Sequence, residues 1–125
     1  MSELSSVVVD PILWYVTVTV AGPPASLRDI REALERLSQE RPFVVCARYA
    51  EDRAEVVYWD ESDDVAVAIG QALRMWSDHL SSARLPRWRV VGLEVLDRRT
   101  ARIRRERSEE VPVHALGEIR PYDSL

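Results

Sequence analysis

Residues Ser62–Asp97 read SDDVAVAIGQALRMWSDHLSSARLPRWRVVGLEVLD. Val65, Ile69, Ala72, Leu73, Trp76, Leu80 and Ala83 recur mostly at spacings of three and four, which places them along one face of an α-helix. Ser62 fits an N-cap, with Asp63 and Asp64 behind it at the positive end of the helix dipole. Pro86 closes the helical segment, and Trp88–Leu96 then has the composition of a strand. A helix this long with so wide an apolar stripe needs a sheet to lie on, which the rest of the chain must supply.

Upstream, Ile12–Val20 alternates: Ile12, Trp14, Val16, Val18 and Val20 face one way, and Leu13, Tyr15, Thr17 and Thr19 the other. β-formers on both sides predict a central strand, which Gly22-Pro23-Pro24 breaks. Ser26–Glu40 reads as a helix capped by Ser26, with Leu27, Ile30, Leu34 and Leu37 as its buried stripe. Arg28/Glu32, Arg31/Glu35 and Arg36/Glu40 are spaced to pair on its wet side, and Pro42 ends it. Phe43–Tyr49 and Ala54–Trp59 form a hairpin around Glu51-Asp52. Centred there, it sets Arg48 opposite Glu55, Cys46 opposite Val57 and Val44 opposite Trp59.

The order strand, helix, strand, strand, helix, strand is that of a ferredoxin-like βαββαβ sandwich. Right-handed crossovers predict a four-stranded antiparallel sheet, ordered 4-1-3-2, with two helices on one face. The expected division is an α+β domain over residues 1–97 and an arginine-rich C-terminal extension over 98–125. In the extension, Arg98–Glu110 reads as a short helix or arm, and Val111, Val113 and Ala115 alternate as an edge strand does.

The 125 residues suffice for a real core, with 46% apolar residues and a net charge of −4. That balance disfavours nucleic-acid binding by the body as a whole. No apolar run approaches transmembrane length, and the single cysteine, Cys46, precludes an intrachain disulfide and fits a reducing compartment. A cytoplasmic protein is the expectation. All 17 basic residues are arginine, a bias that a GC-rich coding sequence explains without reference to function.

The sheet face turned away from the helices is the most informative surface. In the expected register it carries Leu13, Tyr15, Thr17, Thr19, Val44, Cys46, Arg48, Glu55, Val57, Trp59, Trp88, Val90, Gly92 and Glu94. A wet sheet face alternates to polar residues; this one keeps two tryptophans, a tyrosine and several aliphatics, a patch unusual on a monomer. A second subunit is its leading occupant, with the chain's own tail and a small-molecule ligand as alternatives. Tyr15, Cys46, Arg48, Glu55, Trp59, Trp88 and Glu94 are therefore the candidate ligand or dimer face.

Chemistry is harder to place. A nucleophilic Cys46 needs a base or a positive environment. Arg48 shares its face, but nothing in sequence ties His79 or His114 to it. Asp60, Glu61, Asp63 and Asp64 cluster without the alternating oxygen ligands and glycine of a calcium loop, and His79 has no partners at metal-ligand spacing. Arg98, Arg99, Arg102, Arg104, Arg105 and Arg107 could fork onto phosphates, but the segment lacks the aromatics of an RNA platform.

The sequence therefore points to a homodimeric binding module with no catalytic residue, metal or cofactor. The rivals are a small dimeric α/β-barrel-type enzyme acting on an apolar molecule, and nucleic-acid binding through the arginine-rich tail.

Overall fold

The computed structural model describes residues 12–41, 43–107 and 118–122. Among the described residues, eight elements follow one another: β1 (Ile12–Ala21), α1 (Leu27–Glu40), β2 (Val44–Ala50), β3 (Arg53–Ser62), α2 (Val65–Asp78), β4 (Arg89–Asp97), α3 (Arg98–Arg107) and β5 (Glu118–Pro121). The first six keep the expected order, and their strands lie 4-1-3-2. The sheet is nevertheless mixed and five-stranded, ordered β4-β1-β3-β2-β5, because β5 adds parallel to β2 beyond the hairpin. The four-stranded antiparallel sheet is corrected accordingly. The parallel pairing of β5 is a long-range contact that four residues of local pattern do not announce.

α1 and α2 cover one face. Val16, Val18 and Val20 of β1 and Ala54, Val56 and Tyr58 of β3 project into the core between sheet and helices. They meet Ile30, Ala33, Leu34 and Leu37 from α1 and Ala72, Met75 and Trp76 from α2. Ser26 caps α1 as its sequence implies, its hydroxyl accepting from Asp29 N at 3.1 Å. Arg28–Glu32 and Arg31–Glu35 pair along the wet side at 3.5 and 3.9 Å. Arg36 and Glu40 do not pair with each other. Arg36 Nε donates to the Ala83 carbonyl (2.7 Å), while the Glu40 carboxylate takes Ser82 Oγ and His79 Nδ1, each at 2.7 Å. Both residues thereby tie α1 to the turn after α2.

α2 starts later than Ser62. Ser62 ends β3 and is buried, and Asp64 is the cap, its Oδ1 accepting from Val67 N at 3.0 Å. The buried face is Ala68, Ala72, Met75 and Trp76. Val65, Ile69 and Leu73, expected in the core, are exposed. The apolar arc of the helix is wider than the sheet can cover, and small alanines form its inner line.

Two bulges correct the registers. In β2, Val44 pairs with Tyr58 rather than Trp59, while Cys46 opposite Val57 and Arg48 opposite Glu55 stand as expected. Val44 thus turns to the helix side and joins the core. In β4, the register slips between Val90, opposite Val20, and Gly92, opposite Thr19. One extra residue flips everything on its far side, so Val90 and Trp88 also leave the open face. Trp88 is 6% exposed, stacks on Trp76 with centroids 6.2 Å apart, and donates Nε1–H to the Pro23 carbonyl at 2.7 Å.

α3 lies on the opposite face of the sheet from α1 and α2. It contacts β1 and β4, and its Arg104 guanidinium bonds Glu94, which stands opposite Thr17 on that face. Asp97 caps it by accepting from Thr100 N at 2.7 Å, and Ala101 is its buried residue. The expected strand around Val111–Ala115 and the His114 position lie outside the described residues.

Candidate functional site

With α3 over β1 and β4, the open face is divided. Tyr15, Glu94 and Leu96 lie toward α3. Cys46, Arg48, Glu55, Val57 and Trp59 lie on β2 and β3 beyond it. Of the expected face residues, Tyr15, Cys46, Arg48, Glu55, Trp59 and Glu94 share this side of the sheet; Trp88, Val44 and Val90 do not.

Trp59 joins two regions of this surface. It stands directly opposite Tyr15, and the rings meet edge to face with centroids 4.9 Å apart, a favoured aromatic geometry. On its other side it lines a groove of about 340 Å³ that runs round the end of the sheet with Leu13, Phe43, Glu40, Arg41, Asp60 and Glu61. The floor is apolar, and Phe43 is 65% exposed. The rim carries three carboxylates and one guanidinium. That guanidinium is already engaged, its Cζ 4.8 Å from the centroid of the Tyr58 ring.

Two of the three rim carboxylates, Glu40 and Asp60, are held in place. Hydrogen bonds from Ser82 and His79 keep Glu40 below the usual carboxylate range. Asp60 Oδ2 accepts from Ser62 Oγ at 3.2 Å and, with the Gln71 amide turned to satisfy its neighbours, from the Gln71 nitrogen at 2.6 Å. Asp64 is occupied as a helix cap. Among the described residues, no group of three His, Cys, Asp or Glu side chains converges as a metal site would require.

Cys46 sits among Arg48, Glu55, Glu118 and Arg120. Burial dominates there and pushes the thiol up to about 11, with Arg48 opposing. Such a cysteine is a neutral, inert thiol at physiological pH. Burial likewise raises the Tyr15 phenol, against the opposing charge of Arg105. Arg48 and Glu55 are register partners, but no ion pair closes between them among the described residues.

β5 brings Glu118 beside Cys46 and Arg120 beside Arg48, and Arg120 pairs with Glu118 at 3.4 Å. Tyr122 follows, its N–H donating to the Tyr49 carbonyl at 2.9 Å. Burial, reinforced by Glu55, lifts its phenol to about 12. Sequence reasoning missed this cluster because only the long-range β2–β5 pairing assembles it. It also missed the groove, because the β2 bulge leaves Phe43 outside the sheet alternation. The arginines of α3 are exposed, with Arg104 engaged by Glu94.

The family profile described as "Domain of unknown function (DUF8830)" matches residues 13–112. No curated protein matches the sequence. Among solved structures, a similar chain is the acylphosphatase from Bacillus subtilis, with 14% identity, a TM-score of 0.38, and coverage of 86% of this chain and 97% of that one. A likeness at that level carries no argument about activity.

Proposed function

The chain belongs to the DUF8830 family, and we propose that it is a non-catalytic, self-associating binding module whose recognition site is the groove at Trp59. The observation that supports this is the groove itself. Leu13, Phe43 and Trp59 form an apolar floor in a cavity of about 340 Å³, beneath the carboxylates of Glu40, Asp60 and Glu61. Concave apolar surface with a few fixed polar groups is what small ligands and peptide side chains occupy. A net acidic rim favours a cation, and the best-fitting ligand is an apolar side chain next to a basic one. The buried thiol of Cys46 suits a reducing, cytoplasmic setting.

The test uses two probes, N-acetyl-Leu-Arg-amide and N-acetyl-Leu-Glu-amide, titrated into the isotope-labelled protein and followed by NMR. The arginine peptide should move resonances of Leu13, Phe43 and Trp59 at millimolar concentration, and the glutamate peptide should move them less. Trp59→Ala should abolish the response while keeping the rest of the spectrum. Equal responses to both peptides, or none to either, would remove the groove as the recognition site.

A further inference from the structure

Six of the ten residues of α3 are arginine and one, Glu106, is acidic, in a chain whose net charge is −4. The contacts of the helix fix how it is turned. Ala101 is buried against the sheet. Arg104 lies about 60° from Ala101 around the helix axis, and Arg105 about 40° from it in the other sense. Arg104 bonds Glu94 of β4. Arg105 faces Tyr15 of β1, where its charge opposes the upward pull of burial on the phenol. In the order β4-β1-β3, the Arg105 side of the helix therefore looks toward β3. Arg98 and Arg102 fall on that side too, at about 60° and 100° from Ala101, whereas Glu106, at about 140°, is turned away from the sheet.

Arg98, Arg102 and Arg105 thus form a row with steps of about 6 and 4.5 Å along the axis, and all three are exposed. Like charges at such spacings repel one another, so the row favours an anion. Below it, Tyr15 and Trp59 stand in register and meet edge to face, each only partly buried. α3 has no aromatic residue of its own; β1 and β3 supply two beside it. We propose that this trough binds single-stranded nucleic acid, with the arginine row on successive phosphates and a base stacked on Trp59. Unpaired strands are held by positive grooves with aromatic side chains, and arginine forks fit phosphate. This goes beyond the peptide groove and does not rest on it, because the row lies on the α3 side of Trp59 and the groove on the other.

The make-up of the trough selects among polyanions. An anionic membrane requires an apolar face to enter it, and Ile103 is the one large apolar side chain that α3 exposes. An acidic peptide would meet the arginines but leave the ring pair unused. A duplex keeps its base faces within its own stack, so it too makes no use of Trp59. Glu94 is neutralised by Arg104. Asp60 and Glu61 follow Trp59 along β3 and bound the trough at that end, which limits it to a short strand.

The experiment is fluorescence anisotropy with labelled thymidine and uridine dodecamers, with circular dichroism confirming the fold of every variant. Both strands should bind, and affinity should fall about twentyfold between about 50 and 200 mM salt, the loss expected when three phosphates of a single strand are engaged. Arg102→Gln should weaken binding and cut that loss to about sevenfold, as for two phosphates. Trp59→Ala should weaken binding at least about fivefold while leaving the salt dependence unchanged, which separates stacking from charge. Arg28→Gln, on α1 across the sheet, should change neither. No binding at about 50 mM salt overturns the proposal. So does equal binding of a duplex of the same length, or binding that Trp59→Ala leaves intact, either of which would reduce the row to a general anion surface. A glutamate dodecapeptide that binds as tightly also overturns it and would make an acidic protein the partner.

Discussion

Trp88 joins three segments of the chain. It closes the end of the core by stacking on Trp76, and it is fixed by its bond to Pro23. That position requires Gly22. A Cβ there would overlap Trp88 Cδ1 and lie 3.2 Å from its Cα, so the backbone and not only a movable ring tip stands in the way. Gly22→Ala should therefore cost about 1–3 kcal/mol, the range of core overpacking. Urea denaturation measures this, and a change under about 0.5 kcal/mol, typical of surface sites, would show that Trp88 can shift freely. The sequence marks Gly22 only as a strand breaker, because the ring it accommodates lies 66 positions away. A local irregularity hides the role of Trp88: counted along a regular strand it faces outward, and the extra residue, Val91, reverses it.

Among the elements, the last two pose the question the sequence leaves open. High charge density keeps Arg98–Arg107 from forming a core of its own, which predicts that it is dispensable for folding. In the structure α3 buries Ala101 against the sheet, and β5 sets Ile119 against the core while covering the β2 edge. A chain ending at Asp97 should keep a cooperative transition but lose about 2–4 kcal/mol. That is the order of burying one aliphatic side chain plus a methyl group. Thermal and urea unfolding would show this. Loss of the transition would make β5 part of the folding unit, and an unchanged midpoint would make both elements idle attachments. α1 was legible almost to the residue, because cap, stripe and ion pairs are all local. α2 was legible as a helix but not in its orientation. Its apolar arc runs from Val65 round to Met75, and the sheet selects the alanine line for burial.

For the molecule as a whole, alkaline stability follows from four groups whose protons the fold retains, Tyr15 among them. Burial raises Cys46 from its ordinary 9.0 to about 11, and Tyr58 and Tyr122 from 10.0 to about 12. A raised folded-state pKa means that the native chain binds more protons than the unfolded chain between the two values. Stability is then full below the unfolded value and falls as pH rises through the window. Urea midpoints should decline between pH 9 and 11, and Cys46→Ala should flatten that limb, leaving the tyrosine limb from about pH 10 to 12. Parallel limbs in the two proteins would mean that Cys46 is not protected by the fold. Sequence alone determined the six-element order, the first helix with its cap and the Arg48–Glu55 register. Each rests on contacts close in the chain or on a period of 2 or 3.6 residues. Tertiary structure alone decided the two bulges, the side of the sheet that α3 covers, the parallel β5 strand and the groove at Trp59. Each depends on one extra residue or on a pairing between distant segments, and the free energy of such contacts is set only when the whole sheet is assembled.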